Sequence, residues 1–303
     1  MAEAAGRDAA GRSGLHRLRR ALADLAAADR VALVTAMTLV LLLLYSRGAW
    51  YTQTPVAVLG TAGLLLPGLR RSSWFWLGLG AFLAAGYFRE WYAIDNHKYL
   101  YVYWCLALAL ALRTAEPRVP LAVSARWLVA ACFLFATLWK ILSPDFLDGT
   151  FFHYALLTDL RLQWAGELFG GLSAEVSAAN RRELETLVGY SAQVSPVELR
   201  SSPAVATAAG VMAWATLAVE GLVALVFAAP ERWRLARLRA PLLLAFVLST
   251  YALAPVIGFG WILLILGLAQ APDRGAIPTA YAVVFLLLPL YRIPWHDLLS
   301  ALS

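Results

Sequence analysis

Nine long apolar runs, separated by short arginine-bearing stretches, constrain this chain more than any other feature. They fall at residues 31–46, 54–69, 73–88, 97–112, 121–142, 204–229, 240–255, 257–271 and 276–292. A helix crossing the hydrocarbon layer needs about 20 mostly apolar residues. Several runs reach that length only with their flanks. In lipid every backbone polar group must be satisfied internally, so only helices and closed barrels cross. Barrel strands are short and alternate in polarity, whereas these runs are continuous and rich in Leu and Ala. The expected fold is all-α: a polytopic transmembrane helical bundle of eight or nine spans. The count turns on Ala254-Pro255, where Pro255 and Gly258 either join two spans or kink one long helix.

Composition supports this class. Hydrophobic residues make up 61% of the chain and charged residues 15%, against about 25% charged in soluble domains. A soluble protein so apolar could not cover its surface. The net charge of +6 would suggest nucleic acid in a soluble protein. Here the arginines sit between apolar runs, where they mark the cytoplasmic side of a membrane, and no nucleic-acid partner is expected. Cys105 and Cys132 lie inside apolar runs, without a CxxC pair or metal-ligand spacing. They are expected to be buried thiols, and no metal centre is expected.

Loop charges give an orientation. Arg17, Arg19, Arg20 and Arg30 precede the first run, Arg70 and Arg71 follow the second, Arg113, Arg118 and Arg126 flank the turn after the fourth, and Arg232, Arg234, Arg237 and Arg239 follow the sixth. If the spans alternate, all of these share one side. The other side receives Arg47, residues 89–98 and the loop 143–203, which holds eight acids and four arginines, a net −4. The N-terminus is therefore expected in the cytoplasm and the long loop outside, periplasmic or exoplasmic; the localisation expected is a bacterial inner membrane. Three regions follow: a tail with an interfacial amphipathic helix at 1–30, the transmembrane domain at 31–295 including the exoplasmic loop 143–203, and a C-terminal tail at 296–303. The interfacial helix rests on Leu15, Leu18, Leu22 and Leu25 at helical spacing among arginines. A solvated extension of the first span fits that pattern equally. Within the loop, residues 160–190 carry the spacing of one or two amphipathic helices.

Ionisable residues in or beside spans are costly and so point to function. His97 stands at the outer start of the fourth run, and Lys140 at the outer end of the fifth. The orientation derived from arginine alone puts both on one face. The chain uses 23 Arg but only two Lys, Lys98 and Lys140. A lysine where arginine would serve as a charge suggests a group that must lose its proton, which arginine cannot do. The competing reading is a lysine snorkelling to the headgroups and a histidine hydrogen-bonded at a helix start. Glu220 lies deep in the sixth run and requires a partner, Lys140 or an aromatic donor, or protonation. The Ser143-Pro144-Asp145-Phe146-Leu147-Asp148-Gly149 stretch reads as a turn. Trp139, Tyr99, Tyr101 and their aromatic neighbours suit an interfacial belt, or the walls of a flat ligand site.

At these segments the chain resembles a known family. Asn96-His97-Lys98-Tyr99-Leu100-Tyr101 is similar to the Asn-His-x-Tyr-Leu segment of vitamin K-dependent γ-carboxylases and their bacterial relatives, the HTTM (horizontally transferred transmembrane) proteins. Trp139-Lys140-Ile141 with Asp145-Phe146-Leu147-Asp148-Gly149 is similar to that family's Lys-Leu-x-x-x-Trp-x-x-Gly segment, and Glu220 to an acid on a later span. The resemblance covers roughly residues 25–295. It implies catalysis by Lys140 with His97 assisting, support from Glu220, Asn96, Tyr99, Asp145 and Asp148, and cofactor contacts from Trp139 and Tyr101. It implies a reduced quinone as cofactor, with O2 and CO2 as co-reactants, and a small secreted peptide as partner. Three features depart from the family. No large lumenal domain follows within the 303 residues, Ser249-Thr250-Tyr251 stands where a histidine is frequent, and Phe146 replaces a usual Trp. Two functions follow as expectations: a quinol-dependent, carboxylase-like membrane lyase, or a non-catalytic protein that matures, exports or binds a small secreted peptide or lipid. A transporter is a third, for which paired broken helices at the midplane are expected.

Overall fold

The computed structural model describes residues 28–46, 48–185, 197–273 and 275–292. The 15–29 helix lies almost wholly outside these residues, and the 296–303 tail lies entirely outside them. Among the described residues all regular structure is helical. Each apolar run becomes a helix: α1 Arg30–Tyr45, α2 Trp50–Leu65, α3 Ser73–Arg89, α4 Asn96–Ala111 and α5 Arg118–Ile141 come first. The 143–203 loop contributes α6 Thr150–Thr158, α7 Gln163–Gly170 and α8 Ala174–Glu185. Then come α9 Pro203–Ala228, α10 Arg239–Leu253, α11 Ile257–Gln270 and α12 Ile277–Leu287. On length and composition α5 and α9 could each cross a membrane, and α1, α11 and α12 are shorter apolar helices.

The helix starts follow local chemistry. Asp29 accepts the Val31 N–H at the start of α1, Ser72 that of Phe75 before α3, and Ser202 that of Val205 before α9. Each removes one of the unpaired N–H groups that every helix start carries. The Ala254-Pro255-Val256 stretch separates α10 from α11. Proline lacks an N–H and disfavours helix in the residue before it. The Tyr251 hydroxyl donates to the Val256 carbonyl and satisfies an acceptor that the break frees.

The chain forms two compact units, residues 1–128 with 257–303, and residues 129–256. In the first, α1 and α11 run antiparallel. The Arg30 guanidinium at the start of α1 donates to the Leu268 and Ala271 carbonyls at the end of α11, at 2.8 and 3.2 Å. At the opposite end the Tyr45 ring meets Trp261 edge-on, 5.0 Å between centroids. Ser73, opening α3, donates to the Ala109 carbonyl near the end of α4 at 2.6 Å, so these helices are antiparallel too. The Trp104 indole donates to Thr38 at 3.0 Å, joining α4 to α1 in the buried middle. Trp261 on α11 stacks on Phe285 of α12 and donates to its carbonyl at 2.9 Å.

In the second unit α9 is the axis. Its first half buries Val205 and Ala209 against Ala155, Leu156, Leu157, Leu162 and Ala165 of the loop helices. Phe133, on the part of α5 in this unit, packs edge-on against Phe246 of α10 at 4.8 Å. Arg239 closes the α9–α10 turn: its buried guanidinium donates to the Val226 and Ala229 carbonyls and to Glu231. Buried charge is tolerated where it is paired and hydrogen-bonded in this way.

Candidate functional site

The residues singled out in the sequence fall into both units, and each group is built differently. In the first unit Asn96 opens α4 and is exposed, and Lys98 pairs with Asp95 at 3.4 Å. His97 turns inward. Its ring lies 6.0 Å from that of Tyr101, one turn along, and 5.7 Å from Phe259 on α11. Gly258 makes this approach feasible. A Cβ there would stand 2.6 Å from the Tyr101 hydroxyl oxygen and 3.5 Å from His97 Nε2. The structure thus brings His97 and Tyr101 together over a glycine that marks only a helix break in the sequence. Tyr99 points elsewhere, edge-on to Tyr87 of α3 at 6.2 Å.

In the second unit Lys140 and Glu220 meet. The Lys140 amine donates to both carboxylate oxygens, at 2.9 and 2.7 Å. The side chains retain 23% and 13% of their accessible surface. Helix geometry delivers them: Lys140 is in the last turn of α5, and Glu220 is on α9. The Phe146 ring centroid lies 5.5 Å from the Lys140 amine, in range for a cation–π contact. Pro144 starts the single helical turn Pro144–Leu147 that carries Phe146 there.

The acids of that turn do other work. Asp145 is exposed in its first turn. Asp148 accepts the Thr150 N–H at 2.9 Å, and these hydrogen bonds to Thr150 hold its carboxyl below the usual carboxylate range. Gly149 follows with φ of +86°, a conformation that L side chains rarely adopt. A Cβ there would also come within 3.1 Å of the Gly210 nitrogen on α9. Trp139 keeps 75% of its surface exposed, as an outward belt residue would.

One pairing carries no sequence signal. His153 on α6 has its Nε2 2.7 Å from the Ser201 hydroxyl, 48 positions away. Among the described residues no group of three or more His, Cys, Asp or Glu is placed to hold a metal ion. The chain matches no family model, no curated protein and no solved structure.

A lysine amine engaged as donor in two hydrogen bonds to a carboxylate is a placed positive charge. To act as a base it must present a lone pair to a substrate proton. In the arrangement described, its N–H groups are directed at Glu220.

Proposed function

We propose that this chain is a multi-pass protein of a bacterial cytoplasmic membrane, crossing nine times with its N-terminus inside, that binds a membrane-borne or secreted ligand through an acidic group at Lys140. The observation that carries this reading is the Lys140–Glu220 pair on apolar helices. Glu220 holds the cation in place when no ligand is there, and a ligand carboxylate or other acidic group takes its hydrogen bonds. Charged residues set within apolar helices are costly and mark functional positions or pathways.

Two features support the membrane reading. If all nine helices alternate, α11 is the eighth and must run against α1, as it does; a single kinked span from 240 to 271 would run it with α1. Within the first unit, Arg30, Arg113 and Arg118 gather at one end, and Glu90, Tyr45 and His97 at the other. That segregation matches the arginine bias of cytoplasmic loops.

A second reading is the quinol-dependent, carboxylase-like enzyme that the resemblance to HTTM proteins implies, with Lys140 as base, His97 assisting, and a reduced quinone, O2 and CO2 consumed. The observation favouring it is the use of lysine at Lys140 in a chain that otherwise relies on arginine. One experiment separates the two. Membranes carrying the full chain are supplied with a reduced naphthoquinone, O2 and labelled bicarbonate, and label in secreted peptide is counted for the parent, Lys140→Arg and Lys140→Met. The binding reading expects no label, and an acidic lipid or peptide co-purifying with parent and Lys140→Arg but not with Lys140→Met. Label that appears with the parent and vanishes in Lys140→Arg overturns it in favour of the enzyme.

A further inference from the structure

The loop helices α6 and α7 are apolar on two sides. One side packs on α9 through Ala155, Leu156, Leu157 and Ala165. The other exposes Phe151, Tyr154, Leu160, Leu168 and Phe169, each with more than half of its surface accessible. An extramembrane helix pair would be expected to turn a polar face outward. The next helix, α8, does so: its sequence is AEVSAANRRELE, with Glu175, Arg182, Glu183 and Glu185 exposed.

The depth of α6 and α7 can be read from α9. That helix shows an exposed stripe of Thr207, Val211, Trp214, Ala218, Leu222 and Leu225. At 1.5 Å per residue the stripe is about 27 Å long, close to the ~30 Å of a hydrocarbon core. Its uncharged course continues past Glu220, so the first half of α9 is as suited to lipid as the second. α6 and α7 pack on the outermost turns of α9, against Val205 and Ala209, with Gly149 beside Gly210.

Backbone at such a level must be satisfied internally. The breaks obey this. Thr150 N–H donates to Asp148, Arg161 N–H to Asp159, Leu162 N–H to the Asp159 carbonyl and Leu172 N–H to the Gly166 carbonyl. The charges are satisfied as well. Arg161 and Asp159 form a bidentate pair at 2.5 to 3.1 Å, and Glu167 accepts from Gln163 at 2.9 Å.

We propose that Thr150–Gly170 lies in the plane of the outer leaflet, its exposed Phe151, Tyr154, Leu160, Leu168 and Phe169 seated in the boundary between headgroups and acyl chains, and that water begins at α8. This is the behaviour of interfacial helices with a strongly apolar exposed side. A consequence follows for Lys140 and Glu220. Glu220 stands ten positions further along α9 than Gly210, about 15 Å deeper. The pair lies deeper in the membrane than the interfacial helices.

The inference rests on the membrane reading, and its test separates the two. Single cysteines are placed in the full chain with Cys105→Ala and Cys132→Ala, and open membrane fragments are treated with a membrane-impermeant maleimide. Phe151→Cys, Leu160→Cys and Leu168→Cys are compared with Arg182→Cys on α8 and Leu222→Cys on the α9 stripe. All five positions are exposed on the protein surface, so protection reports lipid. The interfacial sites are expected to react at least ten-fold more slowly than Arg182→Cys, with Leu222→Cys slowest. If two or more interfacial sites react as fast as Arg182→Cys while Leu222→Cys stays protected, the inference falls and the membrane reading stands. If Leu222→Cys reacts as fast as Arg182→Cys, the membrane reading falls with it.

Discussion

His97 in the first unit and Lys140 in the second are both ionisable residues at the ends of apolar helices, yet they are held by different forces. His97 is held by shape: the Tyr101 and Phe259 rings flank it, and the absence of a side chain at Gly258 lets α4 and α11 close on each other. Lys140 is held by charge, with two hydrogen bonds to one carboxylate 80 positions away. Packing held by shape is disturbed by adding atoms, and a charge pair by removing one partner. The two sites should therefore respond to opposite kinds of substitution.

The largest expected effect is at the charge pair. Glu220→Ala or Lys140→Met leaves one charge without its partner among apolar helices, at a cost of about 3–5 kcal/mol. Thermal unfolding of the detergent-solubilised protein measures it, and Lys140→Met with Glu220→Leu should recover most of the loss. A single variant as stable as the parent would show that the pair does not hold α5 to α9. Next comes Gly258→Ala, whose Cβ would stand 2.6 Å from the Tyr101 hydroxyl oxygen. Overpacking of this kind costs about 1–3 kcal/mol, whereas Gly68→Ala, with open space around it, should change little. Equal unfolding temperatures for these two variants would remove the steric account of the His97 site.

A smaller effect is expected from Thr38→Val, which takes away the acceptor of the Trp104 indole. The loss is about 1 kcal/mol or somewhat more, since the buried donor is left unsatisfied. A tryptophan fluorescence shift on unfolding checks it. The smallest effect is a pH dependence at Asp148. Its carboxyl titrates below the usual carboxylate range because Thr150 hydrogen-bonds to it. Its stabilisation is therefore complete above that range and is lost as pH falls through the lowered value. The protection of the Thr150 amide, its slowing relative to the free-peptide exchange rate at the same pH, should fall on acidification in the parent and change little in Asp148→Asn. Identical pH profiles in the two would show that another group titrates.

Much of the helical framework was legible in the sequence. The run at 73–88 became Ser73–Arg89, and that at 257–271 became Ile257–Gln270. An apolar run long enough to form a helix satisfies its own backbone, so its position is a local property. Helices were also legible within 160–190, although α6 was not: TFFHYALLT has no clear polar face, and its apolar residues divide between the α9 contact and the exposed side. Of the site, Glu220 was expected to need a partner and Lys140 was one of those considered. The sequence offered no sign of Gly258 beneath His97, because a close approach belongs to two helices and neither one shows it alone.

The sequence by itself determined the all-helical class, the helical segments and the scarcity of lysine that drew attention to Lys140, and it left Pro255 as either a break or a kink. These are properties of composition and near-neighbour spacing. Only the tertiary structure decided that α11 runs against α1, that Tyr101 and His97 share the space over Gly258, and that both hydrogen bonds from Lys140 go to Glu220. Helix direction and side-chain pairing depend on which surfaces fit when segments far apart in the chain pack together, and local spacing does not encode that.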